Sequence, residues 1–132
     1  MPRAIWPLHR GRPRLEVVLN TLSGMLLSPR NLVADSGAGS MQAPFELILT
    51  DQDCLASNAT LTTTIQLGGA FSGAFPLYSL RIQVPQIGFD RILQVVGVPI
   101  VLTGFDGLAG FRFLNRFTYG NFGDPDQFGL EV

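Results

Sequence analysis

One carboxylate in this chain stands in surroundings suited to chemistry. Asp35 ends the apolar run Leu32-Val33-Ala34 and opens the small, polar stretch Ser36-Gly37-Ala38-Gly39-Ser40. The run suits a buried strand, and the glycines suit a sharp turn in which backbone approaches backbone or ligand closely. The pattern predicts an acid buried at a strand end. No Lys or Arg lies within four residues of Asp35. A buried carboxylate without a cation is costly, and such a group escapes by keeping a proton or sharing one with a second acid. An Asp before Ser-Gly also starts ordinary turns, so the motif takes its meaning from the rest of the chain.

Other chemistries find little support. The single cysteine, Cys54, and the single histidine, His9, are too few for a zinc site, and no metal or cofactor is expected. Cys54 reads as a packed or loop thiol, because no second histidine is at hand to activate it. Asp51 and Asp53 read as turn or cap residues. Asp106, before a glycine turn, is a rival acid whose expected task is to hold backbone donors. Hydrophobic residues make up 46% of the 132 and charged residues 14%, with a net charge of −1. That balance excludes a disordered chain and gives no basic field for nucleic acid. All nine basic residues are Arg, and Arg3, Arg10, Arg12 and Arg14 crowd residues near the N-terminus. Residues 1–13 are therefore expected as a solvated arm before a domain over 14–132. Val95 to Leu102 is broken by Gly97 and Pro99, so no membrane helix is expected. With no signal-peptide pattern, the expected location is cytoplasmic, and Asn58-Ala59-Thr60 is read as a loop rather than a glycosylation site.

The elements that must position Asp35 are mostly strands. Leu15, Val17 and Leu19 alternate as in a half-buried strand, and Thr21 to Gly24 reads as a turn. Met25 to Leu27 could extend a partner strand, which Ser28-Pro29-Arg30-Asn31 interrupts before Leu32 to Ala34. Phe45, Leu47 and Leu49 alternate again, and Asp51 to Asn58 is a polar connection with room for one helical turn. Leu61 to Leu67 has high β-propensity. It leads into Gly68-Gly69-Ala70-Phe71-Ser72-Gly73-Ala74, followed by Phe75, Leu77, Leu80 and Ile82, so a projecting hairpin with a glycine-rich tip is predicted. Val84 to Gly88 makes another turn. Ile92 to Val96 and Pro99 to Leu102 read as two short strands, and Phe113, Leu114 and Phe117 give the only clear helix. Phe117 to Tyr119 and Phe128 to Val132 close the chain. The count implies an all-β domain, a closed barrel or a sandwich, with one short helix near the C-terminus.

The order of three features resembles the retropepsin-like aspartic proteases. A strand runs into Asp35-Ser36-Gly37-Ala38, a glycine-rich hairpin spans Leu67 to Phe75, and Leu108-Ala109-Gly110 precedes the helix at Phe111 to Arg116. Phe105-Asp106-Gly107-Leu108-Ala109-Gly110 is also similar to the Phe-Asp-Gly-Ile-Leu-Gly string of pepsin-type lobes. The resemblance covers residues 14–132 and implies a closed acid-protease barrel with a flap hairpin. It implies an aspartic endopeptidase, in which one of two facing carboxylates takes a proton from water as the other polarises the scissile carbonyl; this dyad comes with the family. One Asp-Ser-Gly string in so short a chain implies a homodimer with Asp35 of each copy at the axis. The catalytic loop would be Asp35, Ser36 and Gly37, and Ala38, Gly39, Gly68, Gly69, Phe71 and Gly73 would contact a peptide or protein substrate. Gly39 stands where many members carry an acid. Phe75, Leu77, Val96 and Val98 are further apolar wall candidates, with core packing as the competing role.

Two other classes fit the same pattern. The barrel could be a non-catalytic dimerisation or peptide-binding module, or an unrelated small-molecule barrel with the glycine hairpin as its lid. An uncompensated acid on an apolar strand argues for the protease.

Overall fold

The computed structural model describes residues 2–20, 28–57 and 59–132. The turn expected at Thr21 to Gly24, the extension at Met25 to Leu27 and the loop residue Asn58 lie outside them.

The first element corrects the expectation of a solvated arm. Arg3–Pro7 form strand β1, with Ala4 and Trp6 buried and the alternate residues exposed. It pairs antiparallel with the last strand, β10 (Gln127–Glu131), which pairs in turn with β9 (Thr118–Gly120). The arginines did not decide the outcome: Trp6 brings a large apolar surface to cover, while Arg3 stays at the surface, 2.7 Å from Glu131.

The remaining strands are β2 (Arg14–Leu19), β3 (Arg30–Ala34), β4 (Leu47–Thr50), β5 (Thr60–Leu67), β6 (Gly73–Val84), β7 (Phe89–Val98) and β8 (Gly107–Ala109). They form one sheet in the order β2-β3-β8-β4-β7-β6-β5. Pairing of β2 with β6, at Val18↔Gln83 and Leu19↔Ile82, closes six of these strands into a barrel and leaves β5 outside it. The chain is thus all-β, as expected, with helices α1 (Asp51–Ala56) and α2 (Phe111–Leu114). The helix α1 fills the polar connection, with the Thr50 side chain accepting from the Asp53 N–H.

Two strands serve two cores, which is why they read as continuous apolar runs. Leu47 and Leu49 of β4 and Leu93 and Val95 of β7 point into the barrel interior, with Leu15, Val17, Leu32, Ile82 and Phe113. Ile48, Val96 and Val98 point outward into a second cluster with Phe45 and Leu77. Ile65, Leu67, Phe71 and Phe75 of the β5–β6 hairpin pack on that cluster, so the hairpin folds back as a roof over the barrel's outer face.

Two local expectations need correction. Arg30 and Asn31 belong to β3, because the Asn31 N–H donates to Asp106 Oδ2 and the Asp106 N–H donates to the Asn31 carbonyl, both at 2.8 Å. Residues 99–102 are not a strand. β7 runs unbroken from Phe89 to Val98, and Pro99, lacking an N–H, takes the chain out of the ladder, leaving Ile100 79% exposed.

Candidate functional site

Asp35 follows the last residue of β3, and the strand pairings explain its place. β3 lies parallel to β8 with Ala34 opposite Ala109, and the Asp35 N–H continues that ladder by donating to the Ala109 carbonyl at 2.9 Å. The next turn is held at both ends. The Gly37 N–H donates to Asp35 Oδ1 at 3.0 Å and the Ala38 N–H to the Asp35 carbonyl at 3.1 Å, while the Ala38 carbonyl accepts from the Phe111 N–H at 2.9 Å. Arg112 donates to the Ala43 carbonyl at 2.9 Å from the start of α2. The Asp35 loop is thus tied to β8 and to the helix that follows it.

The expectation of a buried acid is corrected here. Asp35, Ser36 and Gly37 are exposed. The apolar run ends at the barrel surface, and the carboxylate stands beyond it, in a groove. Gly39 is also exposed and has φ +78°, with the position a Cβ would take only 3.1 Å from the Ala43 Cβ. An acid there would strain the turn, which gives a local reason for the departure noted above.

Two cavities flank Asp35. One, of about 410 Å³, is lined by Asp35, Gly37, Ala38, Gly39, Gly68 and Phe71, with Phe45, Ile48, Gln66, Leu67 and Leu108. The other, of about 490 Å³, lies between Val33, Ala34, Asp35 and Leu108 on one side and Phe71, Ile100, Val101 and Leu102 on the other, with Arg12 and Pro13 at its edge. Asp35, Phe71 and Leu108 belong to both, so the carboxylate sits midway along an extended groove with the hairpin tip beside it.

The expected contact residues divide accordingly. Asp35, Gly37, Ala38, Gly39, Gly68 and Phe71 come together in one cavity; Ser36, Gly69 and Gly73 line neither. Phe75, Leu77, Val96 and Val98 pack in the cluster beneath the roof, and Phe71 packs on it too. Arg12, Leu108 and residues 100–102 were not anticipated as lining. The signal for residues 100–102 was there in Pro99, which ends a strand and leaves the apolar residues after it free to face a cleft.

The rival groups are accounted for structurally. Asp106 serves the reciprocal clip with Asn31. Cys54 is fully buried, and burial first, then Asp51 and Asp53, pushes its thiol up to about 12, far from a reactive thiolate. Glu46, only 2% exposed, is held by Arg116 through bonds of 2.5 and 2.9 Å, and this pairing raises the Arg116 guanidinium further. Among the described residues no cluster of His, Cys, Asp or Glu is suited to a metal ion, and no helix is long and apolar enough to cross a membrane.

The fold and the groove define a closed all-β barrel with a hairpin roof and one acid at the centre of a cleft. No family model matches the chain, and no curated protein matches it. A similar solved structure is the EIAV protease complexed with the inhibitor HBY-793, with 19% identity, a TM-score of 0.49, and coverage of 80% of this chain and 86% of that one.

Proposed function

We propose that the chain is an aspartic endopeptidase that works as a homodimer, with Asp35 of each copy forming the catalytic pair. The observation that carries this reading is the place of Asp35, exposed at the middle of a groove with a cavity on either side. Such a groove suits an extended peptide with a residue in each cavity and the scissile bond over the carboxylate. Because Asp35 reaches the surface, a second copy related by a two-fold axis can bring its own Asp35 against it. One ionised carboxylate then takes a proton from water, and the oxygen attacks the carbonyl carbon, while the protonated partner donates to the carbonyl oxygen. Collapse of the tetrahedral adduct breaks the C–N bond as the nitrogen receives a proton from the pair. Closure of the hairpin with Phe71 keeps the attacking water in place and excludes bulk solvent from this step.

A second reading has its own observation. The bond from the Gly37 N–H to Asp35 Oδ1 is one a purely structural Asp makes, which suits a peptide-binding module with no chemistry. Asp35→Asn separates the two, since an Asn side-chain oxygen can still close that turn but cannot accept the proton from water. Incubation with a peptide library across acidic and neutral pH should show cleavage with a bell-shaped pH profile in the wild type. None is expected in the variant, although it should still bind peptide. Cleavage retained by a clean Asp35→Asn preparation would sink the assignment.

A further inference from the structure

We infer that Arg12 makes the groove select peptides with an acidic side chain near the bond over Asp35; the inference rests on the peptide-groove reading above. The cavity of about 490 Å³ is otherwise walled by Pro13, aliphatic side chains, Phe71 and Gly107, and among the described residues its only charged ones are Arg12 and Asp35. Arg12 is also available. Five other arginines meet carboxylates, in the pairs Arg3–Glu131, Arg14–Glu16, Arg30–Asp53, Arg81–Asp90 and Arg116–Glu46. Among the described residues the Arg12 guanidinium has neither a salt bridge nor a hydrogen bond, although its backbone is firmly placed. The His9 and Arg12 N–H groups each donate to the other's carbonyl, at 3.0 and 2.9 Å, across a tight turn with Arg10 at φ +51° and Gly11 at φ +71°. The Pro13 carbonyl then accepts from the Ala34 N–H at 3.0 Å, which fixes this turn beside the strand end that carries Asp35.

Arg12, on a fixed backbone at the edge of an apolar cavity, carries a guanidinium that matches a short chain ending in a carboxylate. Its planar fork binds both oxygens, while the aliphatic walls cover the methylenes of a Glu side chain. It also offsets the repulsion that Asp35 exerts on any anion entering the groove. A neutral side chain of the same shape lacks the first of these interactions.

The test uses peptides with Glu, Gln or Lys at each position flanking the cleaved bond. They are given to the wild type, Arg12→Met and Arg12→Glu, with kcat/KM, mass in solution and melting temperature measured for each. At one position the wild type should favour Glu over Gln by about fivefold, the scale of a partly solvated ion pair. That ratio should fall to near unity in Arg12→Met, turn toward Lys in Arg12→Glu, and shrink with added salt in the wild type. A Glu-to-Gln ratio unchanged in Arg12→Met overturns the inference, as does loss of the dimer in that variant, which would place Arg12 at the subunit interface. Binding of the same peptides to Asp35→Asn, with and without Arg12→Met, separates the two readings. Arg12-dependent binding of Glu peptides without cleavage by the wild type would leave the anion selectivity standing and remove the protease. Cleavage without charge preference would do the reverse.

Discussion

Replacing Asp106 asks whether the second acid near the groove is scaffold or chemistry. Its Oδ2 accepts the Asn31 N–H and its own N–H returns a bond to the Asn31 carbonyl, each at 2.8 Å. Asp106→Ala removes the first bond and leaves a β3 donor without its partner, a loss of about 1–3 kcal/mol for a buried group. Both residues are only half-buried, so water can reach the donor, and about 1.5 kcal/mol is the fitting figure. At roughly 4 °C per kcal/mol for a domain of this size, the melting temperature should fall by about 6 °C. Asp106→Asn keeps a neutral acceptor and should fall by about half as much, since charge-assisted bonds are roughly twice as strong as neutral ones. Circular dichroism during heating, supported by urea midpoints at constant slope, measures the stability, and kcat/KM per folded chain measures the chemistry. Both variants should lose stability and keep most of their turnover. An Asp106→Ala protein that melts with the wild type but no longer cuts peptides would refute the assignment and move Asp106 into the reaction.

Three further outcomes follow from particular contacts. Arg116→Met should cost about 2–3 kcal/mol, because it leaves the nearly fully buried Glu46 carboxylate without its cation, somewhat relieved by the partial exposure of Arg116 itself; chemical denaturation reads this directly. Cys54 is held at about 12 against an ordinary 9.0, so the unfolded thiol ionises first and stability should decline as pH rises above 9, by up to about 1.4 kcal/mol per unit. Cys54→Ala should flatten that alkaline decline, and the wild-type thiol should resist alkylation at pH near 8 until the chain is unfolded. Gly69→Val at the hairpin tip meets open space, and the tip can relieve the strain of φ +69° by changing its own turn, so it should slow turnover and weaken peptide inhibitors with little change in melting temperature. A large stability loss with normal turnover per folded chain would show that this glycine serves the core.

The strands that carry the barrel were legible because their apolar residues obey simple periods. Leu15, Val17 and Leu19 alternate, and the hairpin arms flank an obvious glycine tip. Partners hidden by distance in the chain were less legible. Asn31 reads as an interruption until Asp106, far along the chain, takes its N–H, and β1, set among arginines, becomes a strand only because β10 returns to pair with it. The candidate site was legible in its centre, Asp35 and Gly37 to Gly39 with Gly68 and Phe71. Its far wall was not, because residues 100–102 and Arg12 reach the groove through loops that no period describes. The exposure of Asp35 was missed for a related reason: an apolar run shows that a strand is buried, but not where that strand leaves the barrel.

Mixing tests the shared pair most directly. Wild-type chain is co-refolded with an equal amount of Asp35→Asn chain, and peptide cleavage is measured per wild-type chain alongside the mass in solution. If the active unit is a two-fold dimer with one Asp35 from each copy, random pairing leaves about a quarter of the dimers with both acids, and activity per wild-type chain falls to about half. Activity per wild-type chain that stays unchanged at every mixing ratio, with both chains folded and exchanging, would show that each chain acts alone and would contradict the shared pair.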